Sequence, residues 1–378
     1  MDLLPAYRAL VESPEQQDFC AQAGTPADFL QRLRQLWDCR SVDDGALISF
    51  LNDANHQVLD LDPRRLEGRW FPHRYDAATR SVSWLLPQGH ATEPFQDQYI
   101  ARCRQGSLLN QLIQPRTALA PQLSRFAEEG EGEVSPAGFI FHLSRCGSTL
   151  LSGCLAELDD TSVLSESPLL TALLLDTTLT EEQTRVALRR LVRAQAAPFP
   201  GRGRVVVKWN TWDLFRLALI DAAFPGVPWV LLFRAPEEIL ASHARSAGRH
   251  MAGDPSLRHL HPAFAAPVDD GLLGWRIGVL DALTKAMREA NGAGAKPIDY
   301  ARLDADAIAA VCRHFRLEPS AGARIRIAQR QGVHSKTLDQ PFEADGAQKR
   351  QHFDDAERQH IQRALAAGHR ALQAAAGA

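Results

Sequence analysis

In the second half of the chain, short apolar runs alternate with stretches of helical periodicity. In chain order the apolar runs are Gly138 to Leu143, Ser162 to Leu164, Arg204 to Lys208, Pro228 to Phe233 and Ile298 to Leu303. Helical patterns lie between them at Thr211 to Ala223 and Pro236 to Ala247, and another covers Phe353 to Ala378. Strands that are apolar throughout and separated by helices are typical of a parallel sheet covered on both faces. The pattern therefore predicts an α/β fold.

The first part of the chain has a mixed pattern. Thr25 followed by Pro26 is typical of a helix start. The stretches Arg69 to Tyr75 and Ser81 to Leu86 flank a polar segment and predict a β-hairpin. We therefore predict a mixed α+β extension over residues 1–126, a linker over 127–136 and a second domain over 137–378. The extension either packs as an appendage or covers a neighbouring site, and the sequence leaves both open.

Composition narrows the classes of partner. The 378 residues include 42 basic and 45 acidic side chains, a net charge of -3, which argues against duplex DNA or an anionic membrane as the main partner. The apolar runs are too short to cross a bilayer, and the first residues lack the pattern of an export signal. We expect a cytoplasmic protein. Its six cysteines contain no C-x-x-C pair, which predicts buried free thiols.

The segment from Phe139 to Leu151 predicts a buried strand, a turn with Gly147 and a helix opened by Ser148. Such a turn directs free backbone N–H groups and the positive helix end at one point, where an anion can bind. The segment is not a Walker A sequence, because Ser148 stands where the lysine would be and the cation, Arg145, precedes the glycine. The structural alternative is a capped helix after a core strand.

A second segment follows a later strand. Arg234 comes directly after the apolar run, Pro236 opens a helix, and Ser242 lies two turns further on. An arginine can bind a phosphate through two hydrogen bonds. Taken alone, this turn is more often structural than functional. Together with the first segment it suggests a second phosphate site.

The two segments, R-x-G-S-T-L-L and F-R-x-P-x-x-x-x-x-S, resemble motifs of the sulfotransferase family. Its members use 3′-phosphoadenosine 5′-phosphosulfate (PAPS) on a P-loop-like α/β fold. The resemblance covers Gly138 to Thr337 and implies a three-layer, P-loop-like parallel sheet flanked by helices, with PAPS as co-substrate and no metal. Residues 137–378 would then be a sulfotransferase-like nucleotide-binding domain.

The resemblance also implies roles for individual residues. The loop for the 5′-phosphosulfate would consist of Arg145, Cys146, Gly147, Ser148, Thr149 and Leu150. Arg234 and Ser242 would hold the 3′-phosphate that separates this donor from ATP. The more familiar cytosolic members have lysine where this chain has Arg145, and arginine keeps the charge.

The catalytic base departs from the familiar pattern. Cytosolic members have a histidine two residues after a strand lysine, but here Lys208 is followed by Trp209 and Asn210. Another branch uses a glutamate after the first helix, which implies Glu166 as the base. Lys208 and Arg145 would stabilise the transition state. The structural alternatives are that Glu166 caps the helix beginning at Ser167 and that Lys208 only closes its strand.

Three further features carry less weight. Cys146 at a helix start is a weak candidate nucleophile. His250, His259 and His261 are candidate metal ligands, but they lack the tight spacing of known metal sites. We expect the loop that carries them, Arg249 to Asp270, to border an acceptor pocket instead. The segment from Arg330 to Arg350, with Lys336 and Lys349, is placed over the nucleotide by the resemblance.

The sequence therefore predicts a PAPS-dependent sulfotransferase acting on a hydroxyl or amine. The acceptor would be a small molecule, a carbohydrate or a peptide, and nucleic acid binding and membrane insertion are not expected. Homodimer formation, the identity of the acceptor and the role of the extension stay open. The competing hypotheses are an ATP-dependent kinase of a small molecule and a non-catalytic nucleotide-binding module.

Overall fold

A computed structural model describes residues 2–119, 135–265, 271–292, 294–333, 349 and 351–377. The helices, in chain order, are α1 Leu4–Glu12, α2 Pro14–Ala21, α3 Pro26–Leu36, α4 Asp44–His56, α5 Gln96–Gln105, α6 Leu108–Leu112, α7 Ser148–Ala156, α8 Pro168–Leu175, α9 Glu181–Ala196, α10 Leu217–Ala223, α11 Pro236–Arg245, α12 Gly271–Glu289, α13 Ala305–His314, α14 Ala321–Gln331 and α15 Asp355–Gly377. The strands are β1 Val58–Leu59, β2 Phe71–Asp76, β3 Ser81–Leu85, β4 Arg116–Ala118, β5 Gly138–His142, β6 Thr161–Ser165, β7 Arg204–Lys208, β8 Trp229–Phe233 and β9 Ala295–Asp299.

The chain divides into two compact units. Unit 1 consists of Met1–Val134 and Ser167–Gly203, and unit 2 of Ser135–Glu166 and Arg204–Ala378. The sequence analysis placed 167–203 in the C-terminal domain, whereas these residues group with the N-terminal part. The Tyr75 hydroxyl donates to Asp176 Oδ2 over 2.6 Å, and Gln195 Nε2 donates to the Pro72 carbonyl over 3.0 Å. The predicted linker lies mostly outside the described residues.

Unit 1 contains the predicted α+β features. Its sheet has the order β1-β4-β3-β2, and β2 and β3 form the predicted antiparallel hairpin. Helix α3 begins where the sequence predicted, because the Thr25 side chain accepts a hydrogen bond from the Asp28 N–H and Pro26 occupies the first turn. Phe29 and Leu33 bury the apolar face of this helix.

Unit 2 is built on a five-stranded sheet of order β6-β7-β5-β8-β9 in which every pair is parallel. This confirms the α/β parallel sheet. The fifth strand was predicted over Ile298 to Leu303, which is wrong, because β9 ends at Asp299. The Asp299 side chain accepts a hydrogen bond from the Ala301 N–H and starts a 3₁₀ turn over Tyr300–Arg302. The residues of β9 are mostly half-buried, so the edge strand does not show the apolar run of the central strands.

Side chains alternate between the two faces of this sheet. On one face, helices α7, α13 and α14 bury a core against the strands, with members Ile140, Val206, Val230, Leu232, Leu151, Leu155, Ile308, Phe315 and Ile327. On the other face, Phe139 and Phe141 contact Trp209, and the Phe141 and Trp209 rings stack at 6.3 Å. The buried aromatic and aliphatic layers hold the carboxyl ends of the strands in register.

All six cysteines are buried and none is in a disulfide, which confirms the predicted free thiols.

Within the part of the chain that the structure describes, no helix has both the length and the apolar character needed to cross a membrane.

We expect Gly138→Ala to lower the free energy of unfolding by about 1–3 kcal/mol, because overpacking a buried site forces its neighbours to move. A Cβ at Gly138 would lie 2.3 Å from Cδ1 of the fully buried Phe315 ring. Urea denaturation followed by tryptophan fluorescence measures the change. The matched control is Gly278→Ala at an exposed position of helix α12, where a Cβ would meet nothing within 4 Å and stability should rise. An unchanged urea midpoint for the Gly138 variant would contradict the packing described here.

Candidate active site

The loop between β5 and α7 is tightly turned. Ser144, Arg145 and Gly147 have φ angles of 66°, 53° and 83°, in the left-handed region that non-glycine residues rarely adopt. The Ser144 N–H donates to Nδ1 of His142 over 3.0 Å, which fixes the start of the turn. A Cβ on Gly147 would lie 2.7 Å from the Tyr300 ring. The chain therefore requires glycine here and holds a strained turn at the N terminus of α7, where backbone N–H groups can bind an anion.

A buried ammonium group lies beside this turn. The Lys208 side chain has 0% exposure, and its Nζ lies 2.8 Å from Glu166 Oε1. The same Nζ donates to Thr149 Oγ1 over 3.1 Å, in the first turn of α7. The structure thus brings together Lys208, Glu166 and Thr149, three residues that the sequence analysis selected.

Strand register explains why Glu166 reaches this point. Ser165 pairs with Lys208, and the next backbone N–H, that of Glu166, donates to the Lys208 carbonyl over 2.8 Å. Glu166 has a φ of 52°, which ends the strand. Ser167, not Glu166, caps the following helix, because its hydroxyl accepts the Leu170 N–H. The capping alternative for Glu166 is therefore wrong.

The Glu166 carboxylate is held in its ionised form. Burial raises the pKa of Glu166, but the nearby Lys208 ammonium and the His142 ring outweigh burial, so its pKa lies well below the ordinary value. About a quarter of the side chain is exposed. Glu166 is therefore a partly accessible carboxylate, paired with a cation that has no access to solvent.

His142 was missed by the sequence analysis. It ends strand β5, is 4% exposed, and its Nε2 lies 3.6 Å from Glu166 Oε1. Burial lowers the pKa of His142, which favours the neutral ring. Because Nδ1 accepts the Ser144 N–H, the proton of the neutral ring is on Nε2 and faces the carboxylate. One feature of the sequence could have indicated His142: it is a polar residue at the end of an otherwise apolar strand.

Arg145 contacts both turns of the site. Its guanidinium donates to the Ser246 carbonyl, just past the end of α11, over 2.5 Å, and burial lowers its pKa. Its own carbonyl accepts a hydrogen bond from Arg234 Nη1 over 3.3 Å. The two predicted phosphate turns are therefore in direct contact.

Arg234 lies at the loop, but it is ion-paired. Its guanidinium is 4.2 Å above the Tyr300 ring, the same ring that packs against Gly147. It also pairs with Glu238 over 2.5 Å, and both side chains are more than nine-tenths buried. The sequence analysis did not foresee this pair. The positive charge of Arg234 is thus balanced by an adjacent carboxylate.

The remaining predicted loop residues differ in what they offer a ligand. Ser242 is 7% exposed, and its hydroxyl has no hydrogen-bond partner within the described residues. Cys146 Sγ donates to the Leu232 carbonyl over 3.3 Å, and burial raises the pKa of this thiol to about 12, so it is not a nucleophile. Ser148 opens α7, and Leu150 packs against the core.

The histidines of the loop after α11 do not converge. His250 is buried, His259 is exposed, and His261 accepts the Ala263 N–H over 3.1 Å. Across the described ranges, no group of three or more His, Cys, Asp or Glu side chains is placed to hold a metal ion. The predicted border of the acceptor pocket, Arg249 to Asp270, is described as far as residue 265.

The predicted nucleotide cover over Arg330 to Arg350 is mostly outside the described residues. Arg330 itself is buried beside α7, where a Cβ on Gly153 would lie 2.7 Å from its Nε. Lys349 is also buried, and Lys336 is not described.

Similarity to known proteins is found among solved structures. No protein-family model matches the chain, and no curated protein sequence matches it. The structure is similar to sulfotransferase STF1 from Mycobacterium tuberculosis, with a TM-score of 0.34 and 15% identity over 58% of this chain and 80% of that one. It is also similar to the sulfotransferase domain of the olefin synthase from Synechococcus PCC 7002, with a TM-score of 0.35 and 13% identity over 65% of this chain and 96% of that one.

We expect Lys208→Met to lower the free energy of unfolding at pH 7 by about 3 kcal/mol, because it leaves the mostly buried Glu166 carboxylate without its cation. The double variant Lys208→Met/Glu166→Gln should recover part of that loss. Urea denaturation measures both. The matched control is Lys285→Met, which removes an exposed pair with Asp281 and should cost less than about 1 kcal/mol.

The sign of the pH dependence follows from Glu166. Its folded pKa is depressed, so its contribution to stability is present above the unfolded value of about 4.3 and is lost as pH falls below it. The deficit of Lys208→Met should therefore be large at pH 7 and shrink toward pH 3. A deficit that is equal at both pH values would show that the pair does not stabilise the fold.

Proposed function

We propose that this protein transfers a sulfonate group from PAPS to a hydroxyl or amine acceptor and releases adenosine 3′,5′-bisphosphate. The observation that carries the proposal is the buried Lys208–Glu166 pair, whose ammonium also contacts Thr149 at the N terminus of α7. The ammonium and the carboxylate lie 2.8 Å apart, which supports a cation for the donor beside a base for the acceptor. The acceptor is a small molecule, a carbohydrate or a peptide.

The residues around Gly147 suit the 5′ end of such a donor. The tight turn and the start of α7 supply backbone N–H groups and the positive end of a helix dipole. Lys208 adds a positive charge that is itself shielded from solvent, and such a charge stabilises a leaving phosphate strongly. Arg145 contributes further positive charge to the same loop. The donor supplies the activated sulfonate, and these groups would bind and orient it without a metal ion.

Glu166 is proposed as the base that receives the acceptor proton. Its partly exposed carboxylate is ionised and lies at the carboxyl end of β6, where ligands of parallel sheets bind. An anion at the N terminus of α7 would share the Lys208 ammonium with Glu166. That sharing weakens the ion pair and raises the proton affinity of the carboxylate. His142 Nε2 lies 3.6 Å from the carboxylate, near enough to act on its charge but too far for a hydrogen bond.

Arg234 and Ser242 are proposed to hold the 3′-phosphate. Support comes from the contact between Arg234 and the Arg145 carbonyl, and from the buried Ser242 hydroxyl with no partner in the described chain. Because Glu238 balances Arg234, the phosphate would share the guanidinium with that carboxylate. We therefore expect a discriminating contact of moderate strength.

Nucleotide titration calorimetry tests the donor. We expect adenosine 3′,5′-bisphosphate to bind about tenfold more tightly than 5′-AMP, the value of one charge-assisted contact. Arg234→Gln should remove that preference, whereas Arg245→Gln, an exposed change on the same helix, should not. Magnesium-dependent ATP binding that is tighter than binding of the bisphosphate would overturn the proposal in favour of a kinase.

Glu166→Gln tests the base. We expect the rate of transfer from labelled PAPS to fall about 10²- to 10⁴-fold, the usual contribution of a general base, with bisphosphate binding not weakened, because Lys208 keeps its charge and loses a competing carboxylate. Acceptors are sought in a metabolite extract, with sulfated products identified by mass. Equal transfer by wild type and variant would remove Glu166 from this role. Tight bisphosphate binding with no acceptor in any extract would favour a non-catalytic module.

A further inference from the structure

His250 is a buried side chain whose hydrogen-bonding capacity is not used within the described chain. It is 3% exposed, and neither of its ring nitrogens has a hydrogen-bond partner among the described residues. The ring is fixed by its neighbours: it meets the His243 ring edge-on at 5.1 Å, and the backbone at Gly248 packs against its Cε1. A buried imidazole without partners is costly, so the site requires an explanation beyond packing.

Trp212 and Asp213 also have a buried side-chain atom without a hydrogen-bond partner among the described residues. Trp212 has its ring centroid 5.9 Å from that of His250, and neither its indole Nε1 nor Asp213 Oδ1 has a partner in the described part of the chain. Both residues lie in the 3₁₀ segment Thr211–Arg216, which starts shortly after Lys208 at the carboxyl end of β7. Unsatisfied donors and acceptors thus gather at the same sheet edge as the proposed reaction centre.

His250 and Asp213 are close enough to the proposed reaction centre for its charges to act on them. Burial lowers the pKa of His250 to about 3, and His142, Glu166 and Arg145 are close enough to contribute to the shift. The ring is therefore neutral at ordinary pH, with one nitrogen as donor and the other as acceptor. Burial raises the pKa of Asp213 to about 7, and Asn210 and Glu166 also act on it.

Resting on the proposed function, we propose that His250, with the indole N–H of Trp212, binds and orients the hydroxyl group of a neutral acceptor next to Glu166. The hydroxyl oxygen accepts a hydrogen bond from whichever nitrogen of the neutral ring carries the proton. The indole N–H adds a second donor to the acceptor oxygen, which leaves the hydroxyl proton for the carboxylate.

The charges around the ring favour a neutral acceptor over an ionised one. Glu166 is offset by Lys208, and Arg249, which lies over the Trp212 ring at 5.1 Å, is paired with Asp254. Because these charges are paired, neither offers a free counter-charge to an ionised acceptor, and Arg145 adds positive charge that opposes an ammonium group. An ammonium nitrogen also has no lone pair to accept from the ring or indole N–H. The site therefore favours the hydroxyl alternative over a protonated amine.

The test uses three probes with one ring and different charge: benzyl alcohol, benzylamine and benzoate. Each is titrated into the full chain, saturated with adenosine 3′,5′-bisphosphate, while the ¹⁵N signals of the His250 ring are followed by NMR. We expect benzyl alcohol to shift both ring nitrogens and to bind more tightly than the other two. His250→Phe should weaken benzyl alcohol binding about tenfold, and His250→Asn, which keeps a donor and an acceptor, should restore much of it. His259→Phe, an exposed change on the same loop, is the control.

Transfer of labelled sulfonate to benzyl alcohol gives a second readout. His250→Phe should raise KM more than it lowers kcat, with rescue by His250→Asn, a pattern that a purely structural role would not produce. Ring signals that do not respond to benzyl alcohol, or equal affinity for benzylamine, would overturn the inference. Failure of the proposed function would give a different result. The protein would then not bind the bisphosphate, or would not transfer sulfonate, while its His250 ring still responded to benzyl alcohol.

Discussion

The site depends on one interaction, the ion pair between a lysine without solvent exposure and a partly exposed glutamate. Lys208 ends the central strand β7, and its neighbours in the sheet are β5 and β6. Placing an ammonium in this position is costly unless a carboxylate and further acceptors surround it. Glu166 and Thr149 meet that requirement at 2.8 and 3.1 Å. Loss of either partner affects the fold and the site together.

Parallel strand register brings the other groups to this lysine. Ile140 of β5 and Ser165 of β6 both pair with Lys208, so the residues that follow them converge on its side chain. His142 arrives from one side and Glu166 from the other, and the turn after His142 leads directly into α7. The strained backbone at Ser144 and Glu166 lies where these strands end. The chemistry is therefore a consequence of which residues terminate adjacent strands.

Sequence reasoning succeeded where local physics was decisive. The bounds of β7 and the glycine turn at Gly147 follow from apolar continuity and backbone conformation, which are local properties. His142, Asp213 and His250 carry no motif, because each is a single polar residue whose role depends on what the fold places opposite it. The edge strand β9 was displaced for the same reason, since its half-buried residues lack the pattern of a central strand. The i, i+4 spacing of Arg234 and Glu238 is typical of a helical ion pair, but nothing in the sequence indicates that this pair is buried.

The two candidate anion contacts differ in how their cations are balanced. About a quarter of the Glu166 side chain is exposed. Water can therefore stabilise its carboxylate when the Lys208 ammonium binds a ligand instead. The Glu238 side chain is 8% exposed and would remain an uncompensated buried charge if Arg234 left it. Arg234 must therefore hold Glu238 and any phosphate at once, as a fixed positioning group, whereas Lys208 can change partner. Under the proposed function, that asymmetry suits the α11 turn to recognition and the β7 lysine to charge stabilisation during reaction.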